Sequence, residues 1–99
     1  MTFWAYMLRC RDGSFYVGHT DGIERRLQEH DDGCVDSYTR ERRPVSLAWS
    51  QEFATREEAK IAEAQLKGWS RAKKQALVDG RWDVIRALAK GRHKHERIG

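Results

Sequence analysis

Apolar and aromatic residues crowd both alternating sets of positions near the start of the chain, Phe3, Ala5 and Met7 on one and Trp4, Tyr6 and Leu8 on the other. "TFWAYMLRC" therefore predicts a strand covered on both faces. "RDGS" follows with the Asp-Gly signal of a tight hairpin, and "FYVGHT" predicts the returning antiparallel strand. Gly18 inside that strand signals a close backbone approach or a bulge. Asp21, with Glu24 three residues on, predicts a capped helix over about 22–30. Residues 31–43 read as loop, acidic and glycine-containing at first, then basic in "RERR". Pro44 opens "PVSLAWSQEF", where Val45, Leu47, Trp49 and Phe53 stand among polar or small residues, the pattern of a strand buried on one face. Thr55 and Glu58 form a second capping box ahead of "REEAKIAEAQLKGW", a helix of about four turns that Gly68 should end. "SRAKKQALVDG" and "RWDVIRALAKG" predict two short helices stopped by Asp79-Gly80 and Gly91. Residues 91–99 form a basic tail with no apolar period, expected to fray. The predicted class is α+β, a three-stranded antiparallel sheet flanked by helices, as one domain over 1–90.

Composition narrows the picture without changing it. Ninety-nine residues at 39% apolar content, with four tryptophans, suffice for one core and leave no room for a second domain. No long uncharged apolar run exists, and Arg9 and Arg11 interrupt the opening stretch too early for a signal peptide or membrane span. A cytoplasmic protein without a membrane partner is expected. Cys10 and Cys34 lie in no metal-binding pair, so two reduced thiols are expected and zinc is not. The net charge of +4 is uneven: residues 1–50 hold seven Lys/Arg against eight Asp/Glu, residues 51–99 twelve against seven. Such a surplus suits an anionic partner such as nucleic acid.

Candidate chemistry lies where polar side chains interrupt apolar stripes. On the helix after the second strand, Ile23 and Leu27 define the buried stripe, and Arg26 and His30 fall together along its border. On the longer helix, Ala59, Ala62, Leu66 and Trp69 mark the stripe and Glu63 sits in its middle. A carboxylate there needs a cation, a metal or a cleft, since burying it unpaired costs several kcal/mol. Tyr6 and Tyr16 on the paired strands could join these groups along one side of the sheet. Each residue also has an ordinary use. The tyrosines suit a strand core, Arg26 can pair with Glu29, His30 suits a helix C-terminus, and Glu63 can bridge to Lys60 or Lys67. Together they also match the needs of phosphodiester hydrolysis: a carboxylate for a divalent cation, a guanidinium for charge on phosphorus, and a phenol or imidazole to move a proton.

In order and spacing, "AYMLRC", "FYVGHT", "RRLQEH" and "EAQLKGW" resemble the motifs of the GIY-YIG nuclease superfamily, especially its small single-domain bacterial members of uncharacterised role. The resemblance spans roughly residues 3–78. The tyrosine that ends the first signature is matched by Tyr6, within Ala5-Tyr6-Met7, where the signature's glycine is absent. The tyrosine that begins the second is matched by Tyr16, followed by Val17 and Gly18. Arg26 lies ten residues beyond Tyr16 and His30 four further, as the family's arginine and histidine do. Glu63 is the counterpart of its metal-binding glutamate.

The resemblance implies an endonuclease that cuts DNA, structured or non-specific, in repair or recombination, with one Mg²⁺ or Mn²⁺ ion held by Glu63. It further implies that Tyr6 takes the proton of the attacking water with His30 as polariser, that Tyr16 lines the site, and that Arg26 stabilises the phosphorane. Gly18, Arg40 and Lys67, with Arg42 and Arg43, are expected to meet the substrate backbone. RNA as substrate, a targeting protein partner and the oligomeric state stay open. A nucleic-acid-binding module that keeps the fold without substantial activity is the alternative. A protein-interaction domain using Trp69 and Trp82 is a weaker third.

Overall fold

The computed structural model describes residues 1–34 and 37–81. The helix expected over "RWDVIRALAKG", with Trp82, and the tail over 91–99 lie outside the described residues. The chain forms two compact units, divided between Gly68 and Trp69.

The first unit is built on three strands, β1 (Phe3–Arg9), β2 (Phe15–Thr20) and β3 (Ser46–Phe53), all antiparallel in the order β2-β1-β3. The doubly apolar strand is the central one: Ala5, Tyr6, Met7 and Leu8 are all buried, as a strand with cover on both faces requires. The Asp12-Gly13 turn closes the β1-β2 hairpin with Gly13 at φ 84°, the left-handed conformation that favours glycine. Asp12 accepts hydrogen bonds from the Ser14 hydroxyl and backbone and from Arg42, and these hold its carboxyl below the usual range. Cys10 is buried and Cys34 exposed, both as free thiols, and burial pushes the Cys10 thiol up.

The register assigns the faces. Tyr6 stands opposite Gly18 and Leu8 opposite Tyr16, so Trp4, Tyr6, Leu8, Tyr16 and Thr20 share one face, while Ala5, Met7, Val17 and His19 share the other. Helix α1 (Ile23–Asp31) meets the tyrosine face through His30, and α3 (Arg56–Lys67) meets the opposite face, where Glu63 reaches His19. The capping box of α3 forms as expected. Thr55 Oγ1 accepts from the Glu58 N–H and the Glu58 carboxylate accepts from the Thr55 N–H, both at 3.2 Å. Gly68 ends the helix, which buries Ala59 and Leu66.

Three expectations are corrected and a fourth is narrowed. Asp21 does not cap α1; the N-cap is Gly22, whose N–H donates to Thr20 Oγ1, and Asp21 is drawn instead to Arg25 at 2.6 Å. Of the two readings of Gly18, the close approach holds, with the Tyr6 ring against its backbone, and no bulge lies there. The register shift lies between Met7 and Leu8 in the β1-β3 pairing, where Met7 faces Trp49 and Leu8 faces Leu47. That slip moves Leu47 to the face opposite Trp49 and Phe53, so β3 is an edge strand without a single buried face, and Leu47 is 40% exposed. The expected loop over 31–43 contains a one-turn helix, α2 (Ser37–Arg40).

In the second unit, α4 (Arg71–Val78) is capped by Ser70, whose Oγ accepts from the Lys73 N–H, and ends at Asp79 before Gly80 at φ 71°. It buries Ala76 and Leu77, and Lys73 lies over the Trp69 ring at 4.2 Å. No helix among the described residues is long and apolar enough to cross a membrane.

Candidate active site

β2 is an outer strand, and a cleft of about 240 Å³ lies against it. Of the residues singled out in the sequence, Tyr6, Tyr16, Gly18, Arg26 and Glu63 line it. They do not meet along one side of the sheet, as the sequence suggests. The tyrosines come from the face that α1 covers and Glu63 from the helix on the other, so the groups converge around the edge strand.

Gly18 makes this convergence possible. A Cβ at position 18 would stand 2.6 Å from the Tyr6 oxygen, so the phenol of the central strand crosses β2 only because that side chain is missing. Tyr6 is 2% exposed, and its oxygen is 2.8 Å from His30 Nε2. His30 does not line the cleft. Fully buried at the end of α1, it stands behind Tyr6, and its Nδ1 is 2.9 Å from Thr39 Oγ1. The Tyr16 ring packs edge-on to His30 at 5.0 Å and lies 6.5 Å from that of Tyr6.

Arg26 lies one turn before His30 with its side chain 32% exposed. Its Nε is 3.6 Å from Glu29 Oε1, too long for a hydrogen bond, and both atoms are buried without such a partner. The i,i+3 pair anticipated from the sequence therefore exists as an ion pair, and the guanidinium remains at the cleft wall. Glu63, 19% exposed, is not turned out to Lys60. Its Oε2 is 3.1 Å from His19 Nδ1 and its Oε1 3.7 Å from Lys67 Nζ.

Sequence reasoning missed several residues here. His19 follows Gly18 directly, and strand alternation alone puts it on the α3 side, but only the α3 packing reveals its contact with Glu63. Asp21 and Arg56 also line the cleft. Asp21 pairs with Arg25 at 2.6 Å and with Arg56 at 3.7 Å, and the Arg25 hydrogen bond leads in holding its carboxyl below the usual range while raising the guanidinium. Arg56 also lies over Phe3 at 4.8 Å. Thr39 had no signal, because its segment read as loop.

The remaining basic candidates are elsewhere. Neither Arg40 nor Lys67 lines the cleft: Lys67 is tied to Glu63 from outside, and Arg40 is exposed on α2, its carbonyl accepting from Arg43 Nε. Arg42 stacks on Tyr38 at 3.9 Å and donates to Asp12 and to the Tyr38 carbonyl, while Arg43 donates to the Asp31 carbonyl. These two hold the chain around α2.

The donor chemistry fits oxygen-preferring divalent cations as a class. Among the described residues no three His, Cys, Asp or Glu side chains cluster as a metal-binding group, so the three- or four-ligand set of a zinc site is absent. A partly buried carboxylate facing a polar cleft fits a hard divalent cation, which can take one protein oxygen and complete its shell with water and phosphate.

Comparison with known proteins agrees with this architecture. The family model for the GIY-YIG catalytic domain matches residues 2–76. The chain is 45% identical over 80 residues to a UPF0213 protein of Streptococcus pneumoniae, covering 81% of each. Among solved structures it is similar to the UPF0213 protein of Bacillus halodurans, with 40% identity, 80% of this chain and 84% of that one covered, and a TM-score of 0.52. It is likewise similar to a protein of E. faecalis, with 43% identity, 81% and 85% covered, and a TM-score of 0.56.

Proposed function

We propose that this chain, which belongs to the GIY-YIG catalytic-domain family, is an endonuclease that hydrolyses phosphodiester bonds of DNA with one Mg²⁺ or Mn²⁺ ion, acting on structured or non-specific sites in repair or recombination. The observation that carries this reading is the convergence of two phenols, a guanidinium and a half-buried carboxylate on one cleft, with an imidazole against one of the phenols.

Glu63 would hold the ion, and His19 and Lys67 fix its carboxylate from either side. When bound, the ion would supply positive charge to offset that of the phosphate. The other steps belong to the chain. Tyr6 accepts a proton from the attacking water as the water oxygen bonds to phosphorus. A phenol ordinarily ionises near pH ~10, and the His30 ring against its oxygen eases the transfer. The bond from phosphorus to the leaving oxygen breaks, and that oxygen takes a proton from solvent. Arg26 neutralises charge that develops on the phosphorane, and Tyr16 and Arg56 bind phosphate or its water at the cleft wall. Arg40 and the exposed Lys67 serve the flanking backbone, a contact that weakens with salt.

Nicking of supercoiled plasmid tests this. The wild type should nick with Mg²⁺ or Mn²⁺ and stop with EDTA, while Arg26→Ala, still folded, should lose about 10²-fold or more of the rate. Glu63→Gln should be inactive at low metal concentration. A wild type no faster than both variants would contradict the nuclease and favour the binding module.

A further inference from the structure

Tyr6, His30 and Thr39 form a buried chain of hydrogen bonds, the three residues 2%, 0% and 0% exposed, with its Tyr6 end at the cleft. Tyr6 Oη lies 2.8 Å from Nε2 and Thr39 Oγ1 lies 2.9 Å from Nδ1 of the same ring. A neutral imidazole has one N–H and one lone pair, so both bonds run in the same direction along the chain. Either the phenol donates to Nε2 and Nδ1–H donates to threonine, or both are reversed.

The two hydroxyls at the ends are unequal. A phenol is a much stronger acid than an aliphatic alcohol, hence the better donor, and the threonine oxygen is the better acceptor. The favoured direction is Tyr6 O–H to Nε2 and Nδ1–H to Thr39 Oγ1. We propose that Thr39 is a positioning residue of this site, which accepts the Nδ1 proton and thereby keeps the Nε2 lone pair of His30 turned toward Tyr6.

The consequence rests on the nuclease reading above. In this tautomer the Tyr6 oxygen donates its own proton to His30. When Tyr6 takes a proton from water, the proton it already carries passes to Nε2, leaving a neutral phenol and an imidazolium. Both N–H groups of that imidazolium then have acceptors in place, Tyr6 Oη and Thr39 Oγ1, so no side chain has to turn. In the reversed direction Nε2 already holds a proton and cannot take the one on Tyr6. The proposal also gives α2 a purpose, since that single turn carries the buried Thr39 hydroxyl to the ring.

The test is ¹⁵N NMR of the His30 ring in the full chain at neutral pH, without metal or nucleic acid. The wild type and Thr39→Ser should show the Nδ1–H tautomer, and Thr39→Val, of nearly the same shape but without an acceptor, should show Nε2–H. An Nε2–H ring in the wild type, or a Thr39→Val ring unchanged from it, would overturn the proposal; the wild-type spectrum alone suffices should the valine variant not fold. In plasmid nicking, Thr39→Val should lower kcat by about 10²-fold with KM unchanged, and serine should restore it. The expected tautomers in a wild type that does not nick would uphold Thr39's placement of the proton and overturn the nuclease.

Discussion

Gly18 and Tyr6 set the site between them, because the phenol occupies the space a side chain at 18 would take. Gly18→Ala should force the ring off His30 or shift the strand, at a stability cost of about 1–3 kcal/mol. Urea unfolding would give that cost, and the nicking rate should fall with it; an alanine variant as stable and active as the wild type would show that Tyr6 does not need the gap. At this scale part of the site was legible. Arg26 and His30 on the border of an apolar stripe and Glu63 in the middle of one depart from the local pattern, whereas Tyr6 and Tyr16 suit a strand core and stand out only through the family resemblance. His19, Arg56 and Thr39 do not depart from it. Each has an ordinary local reading, as a strand residue, a helix N-terminal residue or a loop residue, and gains its partner only from packing. Asp21 is the converse. Its position ahead of a helix fits a cap, but two guanidiniums outcompete the backbone for its carboxylate.

Among elements, those whose cues are local appear where the sequence puts them. The hairpin at Asp12-Gly13, the capping box of α3 and the end of α4 at Asp79-Gly80 each depend on a few consecutive residues. The edge strand β3 differs because its faces are set by its neighbour: the slip opposite Met7 and Leu8 is a property of the pairing and leaves no mark in the alternation. Nor does α2 announce itself, since one turn has too few residues to show a period. The capping box gives a prediction at this scale. Thr55→Ala removes the acceptor for the Glu58 N–H and should cost about 1 kcal/mol, or roughly 4–8 °C in Tm for a domain of this size. Glu63 is two turns further on and stays docked against His19, so the variant should nick within a few-fold of the wild type below its Tm. A large loss of nicking without loss of Tm would contradict this and show that the capping box itself sets the geometry of the site.

At the largest scale, the first unit places its candidate site around its outer strand β2. α1 reaches one face of the hairpin through His30 and α3 packs on the other, so the tyrosine face carries the groups proposed to move the proton, the other face carries Glu63, and the cleft at the strand joins them. Division of labour between Glu63 and Arg26 is the central claim: one holds the ion, the other meets the charge on phosphorus. The most direct measurement is the nicking rate as a function of Mn²⁺ concentration for the wild type, Glu63→Gln and Arg26→Ala. The wild type should rise to saturation, Arg26→Ala should saturate over the same metal range at a rate about 10²-fold lower, and Glu63→Gln should need far more metal or show no response. A Glu63→Gln curve that superimposes on the wild type's would contradict it.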